Sequence, residues 1–105
     1  MEAIVVFVTA PNEDEGARIA RTLVEERLAA CVNIVTPIRS IYRWQGKIED
    51  DAEVLMIVKT QKWLFASLEK RVMELHSYTV PEVIALPVVE GSLDYLKWLE
   101  EAAAL

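Results

Sequence analysis

Two long segments rich in β-forming residues, 31–44 and 47–60, flank the dipeptide Gln45-Gly46, and this pattern constrains the fold more than any other. A short glycine-containing connection between two such segments predicts a β-hairpin with a tight turn. Strands usually have roughly 5–6 residues, whereas arms of this length would each reach roughly 45 Å. The second arm is apolar at every position from 54 to 58, and successive side chains point to opposite faces of a strand. We therefore predict a hairpin that is apolar on both faces and needs partners beyond its own domain.

Composition limits the size and class of the protein. The 105 residues fit a single domain over 1–105, and 53% hydrophobic with 27% charged residues is far from disorder. A net charge of −6 disfavours nucleic acid and anionic membranes as partners. The apolar run 3–8 follows an acidic residue and is too short for a signal peptide or membrane span. Because Cys31 is the only cysteine, no intramolecular disulfide can form, and we expect a cytoplasmic protein.

The remaining segments complete an alternating order of strands and helices. They are predicted to be a strand at 3–8, a helix at 13–29 capped by Asn12, a helix at 62–76, a strand at 83–89 and a terminal helix capped by Ser92. Pro37 predicts an edge or bulge in the second strand, and Asp50-Asp51 an irregularity in the third. Helical spacing predicts that the core-facing residues are Ala17, Ala20, Val24 and Leu28, then Leu64, Leu68, Val72 and Leu75, then Leu93, Leu96 and Leu99.

The order β-α-β-β-α-β with an added C-terminal helix predicts an α+β, ferredoxin-like antiparallel sheet. Two helices cover one face of such a sheet, so its strands should alternate apolar and polar residues. The first, third and fourth strands are instead apolar on both faces. We therefore expect self-association to bury the second face.

Several segments resemble the CutA family across nearly the whole chain. The segments that carry the resemblance are Thr9–Pro11, Glu26–Ile34, Ser40–Ile48, Ile57–Thr60, Leu75–Glu82, Ala85–Val88, Tyr95-Leu96 and Trp98. The most specific are the hairpin sequence YRWQGKIE and the loop pattern HxYxxPE. The resemblance implies a ferredoxin-like homotrimer related in fold to PII signal proteins and linked with tolerance of divalent metals, notably copper.

The chain departs from the family's copper-binding pattern. Members discussed as copper binders have a cysteine at the end of the first strand and paired histidines before the loop, whereas here these positions hold Val8 and the pair Leu75-His76. Only His76 carries over. Soft metals need two or more thiolate or imidazole ligands, so one subunit is a poor candidate for a tight copper site.

Candidate site residues each have a structural alternative. His76 could contact a divalent metal or copper ion beside Tyr78 and Glu82, or could be a cation favoured by a helix C-terminus. Cys31 could be a nucleophile, a copper ligand or a redox sensor, but a cysteine at this position is more typical of buried packing. The carboxylates of Glu49, Asp50, Asp51 and Glu53 could bind a hard cation, yet a solvated face or a bulge that resists edge aggregation is the simpler interpretation.

Two further groups complete the candidates. Lys59, Thr60, Tyr78 and Glu82 lie at predicted element ends and could line a small-ligand pocket. Tyr42 and Trp44 stand among basic residues, as in nucleic-acid platforms. The acidic net charge opposes that role, and we predict that both aromatics pack at subunit interfaces.

These observations favour a binding or sensing protein. We predict a homotrimer that binds a metal ion or small ligand at clefts between subunits, with no organic cofactor, nucleic acid or membrane as partner. A PII-like metabolite sensor and a trimeric module that presents a surface to a protein partner are the alternatives. No set of nucleophile, base and orienting group is legible, so we do not expect an enzyme.

Overall fold

A long two-stranded hairpin dominates the structure, a computed structural model that describes residues 2–105. The elements are β1 (Ala3–Ala10), α1 (Glu13–Glu25), β2 (Cys31–Trp44), β3 (Lys47–Gln61), a 3-10 turn (Lys62–Leu64), α2 (Phe65–Leu75), β4 (Val83–Pro87) and α3 (Leu93–Ala102). The four strands form one antiparallel sheet in the order β2-β3-β1-β4. The predicted α+β, ferredoxin-like architecture is confirmed.

The tight turn of the hairpin is formed as predicted. Gln45 has φ 50° and Gly46 has φ 81°, so both central residues are left-handed, as in the turns that match the twist of two-residue hairpins. β1 pairs with β3 only from Val54 to Gln61, so the half of β3 nearest the turn pairs with β2 alone. The hairpin therefore projects from the domain, whose longest dimension is 44 Å.

A β-bulge divides β2, which is an edge strand, at the predicted proline. Val35 pairs with Leu55 and Ile38 with Glu53, so Thr36 and Pro37 together oppose one residue of β3. The prediction of an irregularity at Asp50-Asp51 was wrong, because these residues pair regularly with Ile41 and Ser40. The break lies on the opposite strand, where proline removes a ladder donor.

The core lies on one face of the sheet, beneath the helices. Its fully buried side chains include Val6 and Val8 of β1, Met56 and Val58 of β3, and Ile19, Leu23, Leu68 and Val72 of the first two helices. In α1 the predicted Ala20 is buried, but Ala17 is exposed and Val24 is 42% exposed. Ile19 and Leu23 take the inward positions instead, so that part of the prediction was wrong. The described helices include none that is both long and apolar enough to span a membrane.

The C-terminal helix docks through its last turn. Leu99 and Ala103 are buried, whereas Leu93, predicted to face inward, is 82% exposed. Gln61 Nε2 donates to the carbonyls of Glu100 and Ala103 at 3.0 and 2.6 Å. These bonds satisfy carbonyls that have no partner inside the helix, so they fix the end of α3 while its first turn stays at the surface.

The other face of the sheet, here called the open face, carries apolar side chains that no helix buries. Val5, Phe7, Leu55 and Ile57 are half-buried, and Ile84 and Leu86 of β4 are 54% and 46% exposed. The register places these residues side by side: Phe7 lies between Ile57 and Ile84, and Val5 is paired with Leu86. The sequence-based expectation of an apolar second face is therefore met within this single chain.

Candidate binding groove

A groove of about 790 Å³ separates the projecting part of the hairpin from the loop 77–82, which joins α2 to β4. Its lining is formed by Thr9, Arg39, Ser40, Ile41, Tyr42, Trp44, Glu53, Ser77, Tyr78, Thr79, Val80 and Glu82. Carboxylates and aromatic rings therefore line a cavity of the size that small organic ligands occupy in proteins.

Glu53 is the most buried charged residue of the groove, at 7% exposure. Its Oε2 accepts a hydrogen bond of 2.7 Å from the hydroxyl of Tyr78. Within residues 2–105 its Oε1 makes no side-chain hydrogen bond, and no fully buried side-chain nitrogen or oxygen is left without a partner. Oε1 is therefore not fully buried, and Glu53 belongs to the lining of the groove.

Glu82 places a second carboxylate in the same groove. Partial burial of this group, with the negative charge of Glu53 added, raises the pKa of Glu82, although the residue as a whole is exposed. Arg39 also lines the groove, but its guanidinium is held by Asp50 through two hydrogen bonds of 2.9 and 2.7 Å. The groove therefore holds two carboxylates that repel each other, and its one arginine is already paired.

Three aromatic residues, Tyr42, Trp44 and Tyr78, also line the groove. The hydroxyl of Tyr42 donates to Asp51 Oδ2 at 2.8 Å, and this bond, with burial, raises the pKa of Tyr42 to about 12. Burial and the hydrogen bond to Glu53 raise the pKa of Tyr78 as well. Trp44 and Tyr42 are 42% and 40% exposed, so both offer ring surface to a ligand or to another subunit.

The β2 bulge determines which aromatics reach this groove. Residues directly opposite each other on paired strands share a face. Before the bulge Val35 shares a face with Leu55, and after it Tyr42 shares the face of Glu49, which by strand alternation is also the face of Glu53 and Leu55. The extra residue thus changes β2 from odd to even numbers on the open-face side and brings Tyr42 into the groove.

His76 holds the start of the loop 77–82 in place through contacts with Thr9 and Tyr78. Its side chain has no exposed surface, its Nε2 lies 2.7 Å from the carbonyl of Thr9, and its Nδ1 accepts from the backbone N–H of Tyr78 at 3.0 Å. Since Nδ1 accepts, Nε2 carries the hydrogen and donates to Thr9. Both ring nitrogens are therefore engaged within the chain, and a metal at His76 would have to replace one of these contacts. Metal binding by His76 stays a prediction, one that this geometry disfavours.

Glu15 ties the same loop to helix α1. Its Oε2 accepts from the backbone N–H and the hydroxyl of Ser77 at 3.0 and 2.9 Å. Burial raises the pKa of Glu15, but the two hydrogen bonds from Ser77, together with the neighbouring His76 and Arg18, outweigh burial, and the pKa falls below its ordinary value. Asn12 accepts from the backbone N–H of Glu15, which confirms the predicted N-cap.

Lys59 and Thr60 lie away from the groove within one chain. Thr60 is fully buried and donates to the carbonyl of Leu28 at 2.7 Å, and Lys59 Nζ donates to Asn33 Oδ1. They lie six and seven positions along β3 from Glu53, a separation of roughly 20 Å. Of the predicted pocket residues Lys59, Thr60, Tyr78 and Glu82, only Tyr78 and Glu82 line the groove of a single chain, and a shared pocket of all four stays a prediction.

No metal cluster accompanies these residues. Among residues 2–105 no group of three or more His, Cys, Asp or Glu side chains is arranged to hold an ion. Cys31 is a half-buried free thiol near Asn33 on the open face. The sequence-based interpretation missed Glu53, which it placed with its acidic neighbours on a solvated face. No local signal distinguishes Glu53 from these neighbours, because the hydrogen bond from Tyr78 that accompanies its burial joins residues far apart in the sequence.

The chain matches the profile of the CutA1 divalent ion tolerance protein family over residues 4–102. It is 56% identical over 97 residues to the divalent-cation tolerance protein CutA of Thermus thermophilus, a match that covers 92% of this chain and 94% of that protein. It is 55% identical over 95 residues to the human protein CutA, covering 90% of this chain and 53% of the human protein. The chain thus spans about half the length of that relative.

Solved structures agree with the sequence relatives. The structure of the divalent cation tolerance protein (Cut A1) from Thermus thermophilus has a TM-score of 0.95 at 53% identity, covering 97% of this chain and 99% of its own. The structure of CutA1 from Oryza sativa has a TM-score of 0.96 at 49% identity, covering 99% of this chain and 95% of its own. The chain therefore belongs to the CutA1 divalent ion tolerance protein family.

Proposed function

We propose that this chain is a divalent-cation tolerance protein that acts as a cytoplasmic homotrimer, binding a cation in the groove and catalysing no reaction. The observation that carries the proposal is the free Oε1 of the buried carboxylate of Glu53, with the carboxylate of Glu82 in the same groove. An incoming positive charge would relieve the repulsion between these groups. The names of the relatives, which refer to divalent-cation tolerance, support the same conclusion.

The open face supports the proposed trimer. Phe7, Ile57 and Ile84 lie side by side across three strands, and β4 leaves its apolar residues about half exposed. Contiguous exposed apolar patches are rare on monomers and mark association sites. Closing three such faces around one axis would bury them, and it would place each groove beside a neighbouring subunit, where Tyr42 and Trp44 offer interface surface.

The donor atoms in the groove determine which ions would fit. Glu53, Glu82 and the hydroxyl of Tyr78 supply oxygen, which suits hard or borderline divalent ions better than soft copper. The sulfur and nitrogen positions of the family's copper pattern hold Val8 and Leu75, and both nitrogens of His76 are engaged. One subunit supplies too few ligands for a closed metal site, so we propose an open site that keeps bound water or gains ligands from a neighbour.

The PII-like alternative is less well supported by this geometry. The two-residue turn Gln45-Gly46 leaves no long loop between β2 and β3, whereas PII-like sensors use such a loop. A groove with two carboxylates and a paired arginine also disfavours organic anions such as nucleotides.

Calorimetric titration of zinc and copper into the full chain tests the cation proposal. We expect binding by the wild type, at least roughly tenfold weaker binding by Glu53→Gln and Glu82→Gln, and no change for Glu69→Gln, an exposed carboxylate on α2. A copper site at His76 would instead be abolished by His76→Ala and not by either groove variant. Identical isotherms for all of these proteins would overturn the proposed cation site, and sedimentation equilibrium tests the trimer separately.

A further inference from the structure

The groove is much larger than a single ion requires. Its volume of about 790 Å³ falls in the range of roughly 300–1,000 Å³ that is typical of pockets for organic ligands. Two carboxylates, Glu53 and Glu82, belong to its lining, and Tyr42, Trp44 and Tyr78 add aromatic surface. A metal ion would use the carboxylates and would not contact most of this aromatic surface.

The Oε1 atom of Glu53 can accept a hydrogen bond from a group that enters the groove. The residue is more than nine-tenths buried, its Oε2 is occupied by Tyr78, and its Oε1 is open to the groove. An oxygen that is open to the groove can accept from solvent, and a ligand with an N–H or O–H group can take that place. Arg39 lines the groove but is committed to Asp50, so a charged donor to Glu53 would come from a ligand.

Aromatic rings beside carboxylates form a recognised environment for organic cations. An ammonium group gains from the π faces of tyrosine and tryptophan and donates hydrogen bonds to carboxylates. A quaternary ammonium ion has no N–H and would leave Oε1 of Glu53 unpaired. An organic anion would meet two like charges. A protonated amine satisfies both the acceptor and the rings.

Resting on the proposed cation groove, we propose that its ligand is a small protonated amine with an apolar body. The ammonium group donates to Glu53 Oε1 and is attracted by Glu82, while the body lies against Tyr42, Trp44 and Tyr78. A divalent ion uses the same two carboxylates, so the metal and the amine compete for this site. Metal uptake would then release the amine, which gives the groove a way to report metal concentration.

Three probes of similar shape and different charge test the proposal. Phenethylamine, phenethyl alcohol and phenylacetate are titrated into the wild-type chain by calorimetry at neutral pH. We expect phenethylamine to bind at least roughly tenfold more tightly than the alcohol, and the carboxylate not to bind, because the charged contacts distinguish the three. Equal binding of amine and alcohol, or no binding of the amine, would overturn the proposal.

Matched variants locate the binding site. Glu53→Gln and Glu82→Gln should each weaken phenethylamine binding roughly tenfold or more, whereas Glu69→Gln should bind as the wild type does. Glu53→Gln keeps an acceptor for Tyr78, and Glu82 is exposed, so at least the second variant should fold normally. Circular dichroism checks both. Unchanged amine binding in the two groove variants would overturn the proposal.

A competition experiment separates this inference from the proposed function. Zinc should displace bound phenethylamine from the wild type in proportion to site occupancy. If zinc binds with dependence on Glu53 and Glu82 while the amine does not bind, the cation groove stands and the amine proposal fails. If neither ligand depends on the two carboxylates, both proposals fail.

Discussion

The hydroxyl of Tyr78 lies 2.7 Å from Glu53 Oε2, and this hydrogen bond links the loop 77–82 to the part of β3 that pairs with β2 alone. The two residues are far apart in sequence, on separate elements that the sheet does not otherwise connect at this point. The contact therefore closes one wall of the groove and also explains why a glutamate is tolerated at 7% exposure.

Removing that hydroxyl should destabilise the protein measurably. Tyr78→Phe leaves a buried carboxylate oxygen of Glu53 without its donor, which we expect to cost about 1–3 kcal/mol in the free energy of unfolding. Urea denaturation at fixed protein concentration measures the change. The control is Tyr95→Phe, because Tyr95 is 44% exposed and its hydroxyl makes no hydrogen bond within residues 2–105. Equal midpoints for the two variants would contradict this account.

A charge on the open face should prevent assembly. Ile84 is 54% exposed in the single chain and lies beside Phe7. If the trimer buries this face, Ile84→Glu places an unpaired charge in each interface at a cost of about 3–5 kcal/mol per subunit. Sedimentation velocity should show dissociated or unfolded chains. Val24→Glu, at a 42% exposed position on α1, should leave the sedimentation coefficient unchanged. A trimer that survives Ile84→Glu would rule out the open face as the interface.

The left-handed backbone of the hairpin turn predicts opposite changes in stability for substitutions at its two central residues. Gly46 has φ 81° with no atom near its missing Cβ, so Gly46→Ala meets only backbone strain, about 1 kcal/mol. Gln45 already bears such strain at φ 50°, and Gln45→Gly should raise stability by up to about 1 kcal/mol. Thermal unfolding at one concentration compares both with the wild type. Shifts of the same sign would argue against a left-handed turn.

The Glu15 contact should contribute to stability only above acid pH. Its pKa is lower in the folded state than the ordinary 4.5, because the bonds from Ser77, with the neighbouring His76 and Arg18, outweigh burial. A depressed carboxyl pKa stabilises the fold fully above the unfolded value and loses this effect as pH falls through the folded value. Glu15→Gln should therefore be less stable than the wild type at pH 7, with a difference that shrinks below about pH 4.5. Unfolding curves at both pH values test this, and a constant difference would contradict it.

Local signals in the sequence account for most of the fold. The Gln45-Gly46 pair, the Asn12 cap and Pro37 each act on the backbone within a few residues, so their effects can be predicted without a structure. Helix faces were harder to assign. In α1 the series through Ala17 and Val24 and the series through Ile19 and Leu23 both have helical spacing, and only packing against the sheet selects the second.

The groove could not be derived from the sequence because it depends on distant contacts. A carboxylate is normally solvated, and nothing near Glu53 indicates that Tyr78 will cover it. The prediction placed Lys59 and Thr60 beside the loop because they end the predicted third strand, but β3 is so long that its two ends lie in different regions of the fold. The aromatic wall depends on the bulge, whose presence Pro37 indicates and whose effect on strand faces appears only in the register.

The bulge gives β2 one residue more than the stretch of β3 that it pairs with. Thr36 and Pro37 oppose a single residue of β3, so deletion of either one would restore a regular ladder and leave Tyr42 opposite Glu49 and Trp44 opposite Lys47. The side of the ribbon on which Tyr42 and Trp44 lie is set by their register with β3, and that register is counted from the turn. The bulge is therefore a place where the arm can lose one residue without exchanging its two surfaces.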